Sequence, residues 1–379
     1  MSLTQDSRMV LTLDAGGTNL VFGAMKGGEE LLEPLSLPTH GEDLTRCLAT
    51  ITEGFEQSRS RLDGPAAAIS FAFPGPSDYP AGIIGDLANL PAFRGGVPLG
   101  PLLEDHFGIP VFINNDGDLF AYGEAMAGLL PEVNLALEEV GSPKRYRNLL
   151  GVTLGTGFGG GLVQGGRLYR GDNGAGAEIW SMRNKLDPGA TAEEGISIRA
   201  VRRAYAEGAG LSLEACPEPA AIHRIARGEG KGDQAAAIEA FRRLGEVLGD
   251  ALANATTLVD ALVVVGGGLS GAADLILPAA VREMNSELRC AAATFGPRLE
   301  SAAFNLEDAT GRTAFLRGES RLLTVPGSGR QVPYDPLKRV GVGLSRLGTS
   351  RATALGAYAF ALTELDRITS GHRDVANLA

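Results

Sequence analysis

The stretch that most limits what this chain can become is Leu11-Thr12-Leu13-Asp14-Ala15-Gly16-Gly17-Thr18-Asn19, with Leu20-Val21-Phe22-Gly23-Ala24 directly after it. An alternating apolar run ends in an aspartate and two glycines, and a second apolar run follows at once, which predicts a β-hairpin. Its turn carries a carboxylate, bare backbone and a hydroxyl. Glycine lets backbone approach a ligand, and successive N–H groups in such a turn form an anion-binding concavity. A carboxylate beside a phosphate cradle suits a divalent cation held between the two. A plain hairpin competes with that reading, with Gly16-Gly17 supplying left-handed φ and Asp14 forming the turn.

The design recurs. Asn148 to Leu154 is an apolar strand, Gly155-Thr156-Gly157-Phe158-Gly159-Gly160-Gly161 a glycine-rich turn, and Leu162-Val163 resumes the apolar run. Two such copies in successive halves predict two related domains facing each other across a cleft. Each would offer backbone N–H and a threonine hydroxyl to a phosphate chain. The second copy is not a Walker A loop, because no Gly-Lys-Ser/Thr follows it. At 379 residues the chain is long for one core, which also points to two domains. The net charge of -11 argues against a nucleic-acid backbone as partner. No signal-peptide pattern precedes the first strand and no apolar run is long enough to span a bilayer, so no membrane partner is expected. Cys47, Cys216 and Cys290 are far apart and odd in number. They fit a reduced cytoplasm, and neither a disulfide framework nor a zinc site.

Between the two turns, Leu44 to Leu62 reads as a helix with Leu48, Ile51 and Phe55 on its apolar stripe. Ala66 to Phe73 reads as a buried strand halted by Pro74-Gly75-Pro76. That loop falls at a strand's C-terminal edge, where α/β sheets bind ligands, and the Gly75 backbone could approach one. Asn89, in Asp86 to Pro91, is a turn residue unless the fold places it in a pocket. Pro110 to Ile113 is a short strand before Asn114-Asn115-Asp116-Gly117-Asp118, and a helix is predicted from Leu119 to Leu129, with Glu124 in it. A carboxylate on a strand-to-helix junction, flanked by amides, suits a general base. Asn115, Asp116 and Asp118 are also favoured N-caps, and Asp118 is assigned to that role.

Gly171 to Ser181 is glycine-rich and irregular, and holds Glu178 and the one tryptophan, Trp180. Glu193 and Glu194 fit the start of an arginine-rich helix. Phe241 to Val259 is an amphipathic helix that runs into a buried strand ending in Gly266-Gly267-Gly268. Such a run lets a nucleobase or ribose come close. Ala291 to Arg351 reads as mixed and loop-rich, and Ser350 opens a C-terminal helix to about Leu365.

With those residues in place the sequence resembles the ROK family (repressors, open reading frames and sugar kinases) within the actin-like ATPase superfamily. Asp14 to Asn19 resembles the family's first phosphate motif, and Asn114-Asn115-Asp116 with Glu124 its catalytic-aspartate stretch. Leu154 to Gly161 resembles the second phosphate motif and Val264 to Gly268 the adenosine motif. The resemblance implies an α/β chain of two ribonuclease-H-like (actin-like ATPase) domains, with a cleft between them that closes over ATP, Mg²⁺ and a hexose. The expected division is 1–130 plus about 355–379, and 131–354 with an insertion near 291–350. It implies a glucokinase-like, ATP-dependent sugar kinase acting on a hydroxyl of a hexose or hexosamine. Asp116 would take the proton of that hydroxyl. Gly75, Asn89, Asn115, Glu178, Ser181 and Glu193 would join it around the sugar. Asp14, Gly16, Gly17, Thr18, Asn19, Gly155, Thr156, Gly157, Gly266, Gly267 and Gly268 would hold ATP, with Asp14 reaching Mg²⁺ through water.

The departures from the family are local. Its usual Gly-Glu-Ile-Gly-His is here Ala177-Glu178-Ile179-Trp180-Ser181, so serine stands where a histidine binds zinc and sugar. The Cys-x-Cys-Gly-x-x-Gly-Cys zinc cluster is absent, and no Cys or His lies between Ser181 and Cys216, so no structural zinc is expected. Glu193 matches the acid that follows the family's last cysteine. These losses keep a second reading open, a catalytically weak or inactive sugar-binding sensor. A kinase with a non-sugar polyol or amino-sugar acceptor is a third. A repressor would need a helix-turn-helix, for which the thirteen residues before Asp14 are too few. The expected partners are a sugar and ATP, the expected compartment is the cytoplasm, and the resemblance leaves a homodimer open.

Overall fold

The computed structural model describes residues 3–75, 77–85, 91–289 and 294–371. The chain divides into two compact units, Met1–Ala127 with Leu168–Gly176 and Ser350–Ala379, and Gly128–Arg167 with Ala177–Thr349.

In the first unit, β1 (Met9–Ala15) and β2 (Asn19–Lys26) form the expected antiparallel hairpin, with Ala15 opposite Leu20. The short strands β3 (Glu29–Glu30) and β4 (Leu35–Pro38) both pair with β2. Helix α1 (Leu44–Ser60) leads to β5 (Ala66–Ala72), which runs parallel to β1. A small hairpin of β6 (Ser77–Asp78) and β7 (Ile83–Ile84), then α2 (Leu99–Phe107), leads to β8 (Val111–Asn114), parallel to β5. The alternation of β2 turns Leu20, Phe22 and Ala24 inward, and α1 answers with Ile51 and Phe55. Gly54 of α1 leaves the space into which the Phe22 ring fits, and the Phe22 and Phe55 rings meet edge to face at 5.2 Å. The excursion Leu168–Gly176 packs with this unit, where the Arg170 guanidinium lies 5.2 Å from the Phe360 ring centre.

Helix α3 (Asp116–Ala127) follows β8 directly and packs on α10 (Thr349–Thr369). A Cβ on Gly123 would collide with the Ala352 carbonyl, and one on Gly356 with the Leu119 carbonyl. The helix begins at Asp116, not at Leu119. Asn115 provides the cap: its Oδ1 accepts the Gly117 N–H at 2.7 Å and its carbonyl accepts the Leu119 N–H at 3.1 Å. Asp118, expected at the cap, is buried in the first turn.

The second unit repeats the plan. After α4 (Leu129–Glu139), β9 (Leu149–Leu154) and β10 (Phe158–Gln164) form an antiparallel hairpin, with β11 (Arg167–Tyr169) beside β10. The turn is only Gly155 to Gly157. Gly159 to Gly161 lie in the strand, and a Cβ on Gly159 would stand 2.6 Å from Thr153 Oγ1. Helices α5 (Ile198–Ala209), α6 (Pro219–Ala226) and α7 (Gln234–Val259) lead to β12 (Leu262–Gly266), parallel to β9. Helix α8 (Ala273–Met284) lies against α7, where a Cβ on Gly245 would stand 2.5 Å from the Ile276 carbonyl oxygen.

Beyond α8 come the hairpin β13 (Glu287–Arg289)–β14 (Phe295–Pro297), then β15 (Ala302–Asn305), α9 (Ala309–Arg317), the hairpin β16 (Arg321–Thr324)–β17 (Gln331–Tyr334) and β18 (Arg339–Leu344). β15 and β18 join the main sheet, in the order β11-β10-β9-β12-β18-β15, while β13 with β14 and β16 with β17 form separate two-stranded sheets. The first unit's order is β3-β2-β1-β5-β8. A hairpin continued on one side by parallel strands thus occurs twice, the plan of the two-domain actin-like ATPase fold. Among the described residues no helix is long and apolar enough to cross a membrane.

Candidate active site

The first turn is tied down from one side. The Gly16 N–H donates to the Asn19 carbonyl at 3.0 Å, and the Thr39 hydroxyl and N–H donate to the carbonyls of Gly16 and Thr18 at 2.7 and 3.0 Å. Asp14, Gly17, Thr18 and Asn19 are exposed. Neither glycine has the left-handed φ that an ordinary hairpin would have needed. Gly16 is required for space, since a Cβ would stand 2.8 Å from the Asn19 carbonyl oxygen. Gly17 is not, because nothing lies within 4 Å of where its Cβ would be.

The same separation holds at the second and third motifs. Gly155 is open, whereas a Cβ on Gly157 would stand 2.6 Å from Glu193 Oε2. Gly267 has a φ of 88° and no room over the Leu154 carbonyl, and its N–H donates to Thr349 Oγ1 at 3.1 Å. Gly266 closes β12 opposite Thr153. Gly268 and Gly271 are open and have ordinary φ, although both lie in a short helical turn where alanine would be favoured. Gly271 was not singled out from the sequence. Thr156, between the two glycines of the second turn, is exposed.

Asp116 is exposed at the junction of β8 and α3, with Oδ1 accepting the Gly117 N–H at 2.8 Å. Asn115 is half-buried beside it and bonds to the Tyr79 hydroxyl, which also donates to the Phe73 carbonyl at 3.0 Å. A Cβ on Gly75 would stand 2.9 Å from that same hydroxyl. Burial pushes the Tyr79 phenol up to about 12, so it stays protonated and keeps donating. Tyr79 thus gathers Gly75 and Asn115, two residues forty apart in the chain. Asn89 lies outside the described residues, as do Pro76 and Cys290.

Glu178 is exposed, and its carboxylate accepts the Trp180 indole N–H. The Ser181 hydroxyl donates to the Glu178 carbonyl at 2.8 Å. Ala177, just before, sits at a φ of 61°, a conformation that strains a residue with a Cβ. The following loop is held by side chains. Asn184 Oδ1 accepts the Leu186 N–H at 2.9 Å, and Lys185 pairs with Glu283 at 2.5 Å and Glu246 at 3.2 Å. Glu193 Oε2 accepts the Phe158 N–H at 3.0 Å, and Glu194 pairs with Arg199 and Arg203 at 3.1 and 3.2 Å. Among the described residues, no three or more His, Cys, Asp or Glu are grouped so as to hold a metal ion.

The sequence profile of the ROK family matches residues 10–311. The N-acetyl-D-glucosamine kinase of Vibrio cholerae is 30% identical over 273 residues, 69% of this chain and 85% of its own. The glucokinase of Streptomyces coelicolor is 27% identical over 289 residues, 71% of this chain and 84% of its own. The crystal structure of a glucokinase from Parabacteroides distasonis superposes with a TM-score of 0.89 at 54% identity, covering 96% of this chain and 99% of that one.

Proposed function

The chain belongs to the ROK family, and on that premise we propose that it is an ATP-dependent sugar kinase, moving the terminal phosphoryl group of ATP to a hydroxyl of a hexose or hexosamine. The matched relatives are a glucokinase and an N-acetyl-D-glucosamine kinase by name, and the similar structure is that of a glucokinase. The observation that carries the reading is the open glycine. Gly17, Gly155 and Gly268 are explained neither by φ nor by packing, and a ligand brought against bare backbone accounts for all three. A sensor without turnover is not favoured, since these relatives are kinases.

In the reaction the sugar oxygen bonds to the γ-phosphorus, the bond to the bridging oxygen of ADP breaks, and the hydroxyl proton passes to Asp116. Its Oδ1 is turned by the Gly117 N–H, which fixes the carboxylate for that transfer. Asn115, Glu178, Ser181 and the Gly75 backbone hold the remaining hydroxyls, with Tyr79 and Trp180 setting the orientation of Asn115 and Glu178. Gly16, Gly17, Thr18, Asn19, Gly155, Thr156 and Gly157 meet the phosphates, and Gly266 to Gly268 the nucleoside. Phosphoryl transfer relies on such positioning and charge stabilisation more than on covalent help from protein. Asp14, an exposed carboxylate at the end of β1, fits Mg²⁺, which takes one or two carboxylates beside phosphate oxygens and water. When bound, the ion neutralises charge on those oxygens. A cytoplasmic setting agrees with the free thiols of Cys47 and Cys216.

Asp116→Asn tests the assignment. The turnover rate is expected to fall about 10²- to 10⁴-fold while the sugar KM stays within about threefold. Wild-type turnover in this variant would reduce Asp116 to a helix-start residue and leave the reaction without its base.

A further inference from the structure

We propose that Glu193 is a positioning residue for the second glycine turn, so that the segment 193–199 sets which groups that turn presents to the nucleotide phosphates. The proposal rests on the kinase reading and changes the role of one residue within it. Glu193 Oε2 accepts the N–H of Phe158, the first residue after the turn, at 3.0 Å. Gly157 packs against the same oxygen, where a Cβ would stand 2.6 Å from it, so the third position of Gly-Thr-Gly also lies against this carboxylate.

Two further contacts come from the same segment. The Ile198 N–H donates to the Gly155 carbonyl at 2.9 Å. The Arg199 guanidinium stands 3.5 Å from both the Thr156 carbonyl oxygen and Glu193 Oε1. Every residue of the turn is therefore touched from 193–199. The segment is itself stiff: Ser197 is buried and caps α5 through the Ala200 N–H, and Arg203 donates to the Glu194 carbonyl at 2.5 Å. The bonding leaves a defined set of donors. The Gly155 N–H is taken by the Gly157 carbonyl at 3.0 Å and the Phe158 N–H by Glu193. Among the described residues, what remains at the turn is the N–H groups of Thr156 and Gly157 and the Thr156 hydroxyl, a small anion-facing set.

A carboxylate committed to the turn and a carboxylate committed to the sugar give opposite kinetics. The full chain, Glu193→Ala and Glu193→Gln would be compared by titration with a fluorescent ADP analogue in the absence of sugar, and by KM for ATP and for the sugar. Glu193→Ala is expected to weaken nucleotide binding and raise the ATP KM about tenfold, with the sugar KM moving less than about twofold. Glu193→Gln keeps an oxygen for the Phe158 N–H and is expected to recover most of the nucleotide affinity. Unchanged nucleotide affinity in Glu193→Ala overturns the proposal, and a rise confined to the sugar KM returns the residue to the sugar. Should Glu193→Ala not fold, Glu193→Asp, which draws the carboxylate back from the Phe158 N–H, gives the same readout. Nucleotide binding is read without turnover, so a wild type that binds the ADP analogue but phosphorylates no sugar would sink the kinase reading and leave this test intact.

Discussion

A glycine is ordinarily kept because its φ is left-handed or because no Cβ fits, and Gly17 meets neither condition. Replacing it by alanine removes unfolded-state freedom without a clash, so the fold is expected to gain up to about 1 kcal/mol. The same methyl would stand where a phosphate must approach, and the ATP KM is expected to rise about tenfold or more. Gly16→Ala is the control, since its Cβ would meet the Asn19 carbonyl oxygen at 2.8 Å and lower the melting temperature. A Gly17→Ala enzyme with an unaltered ATP KM would show that this turn does not cradle phosphate. At this scale the sequence names the residues proposed to meet the ligands, and not the contacts that hold them. Asp14, Gly17 and Asp116 stand out because a carboxylate beside glycine backbone suits a cation and phosphate, and one on a strand-to-helix junction suits a general base. Thr39 and Tyr79 look like ordinary loop residues, because their roles depend on carbonyls and amides brought to them by other strands. Trp180 reads from sequence as a lost glycine, yet its indole N–H holds Glu178.

Among elements, the helix that starts with Asp116 owes its position to a backbone-to-backbone contact. Gly123 of α3 and Gly356 of α10 each face a carbonyl of the other helix with no space for a methyl. Gly356→Ala should push the helices apart and cost about 1–3 kcal/mol, the range for overpacking. Because α3 moves with it, the turnover rate should fall in the same variant. An unchanged denaturant midpoint would mean that the crossing is slack and that α10 does not locate Asp116. Periodicity predicted α1 and much of α7, where apolar residues recur on one face. It misplaced the start of α3 and the start of β10, and the cause is the same in both. Glycines there read as turn residues, whereas Gly117 lies in a helix capped by Asn115 and Gly159 lies in a strand against Thr153. The strand β18 was missed because Gly341 and Gly343 interrupt its apolar run, although leucine side chains pack closely against both.

For the molecule as a whole, the twofold plan was legible because the Gly-Thr turn is written twice, each time between apolar strands. The excursion Leu168–Gly176 was not, since its membership in the first unit depends on Arg170 meeting Phe360, almost two hundred residues on. Each unit also carries an aspartate–arginine pair that composition does not announce: buried Asp6 with half-buried Arg8 at 2.6 Å, and Asp335 with Arg339, both side chains buried, at 2.6 Å. At Asp6 the Arg8 hydrogen bond outweighs burial and holds the carboxyl below its ordinary 3.8. At Asp335 burial pulls the other way, but Arg339 and the Glu319 N–H overcome it, and the carboxyl again lies below 3.8. A depressed carboxyl contributes stability that is fully present above 3.8 and is lost as the pH falls through the lower folded value. Stability should therefore hold down to about pH 5 and fall below pH 4 as these carboxylates protonate. Asp335→Asn leaves Arg339 buried without its partner and should cost about 3–5 kcal/mol near pH 7. In acid the wild type loses the same charge, so the two melting curves should converge as the pH drops toward 3. The net-charge change on acidification is nearly common to both chains, which leaves their difference to report on this one pair. Curves that stay parallel from pH 7 to pH 3 would mean that the Asp335 carboxyl is not held low by Arg339, and that the acid limit of this fold is set elsewhere.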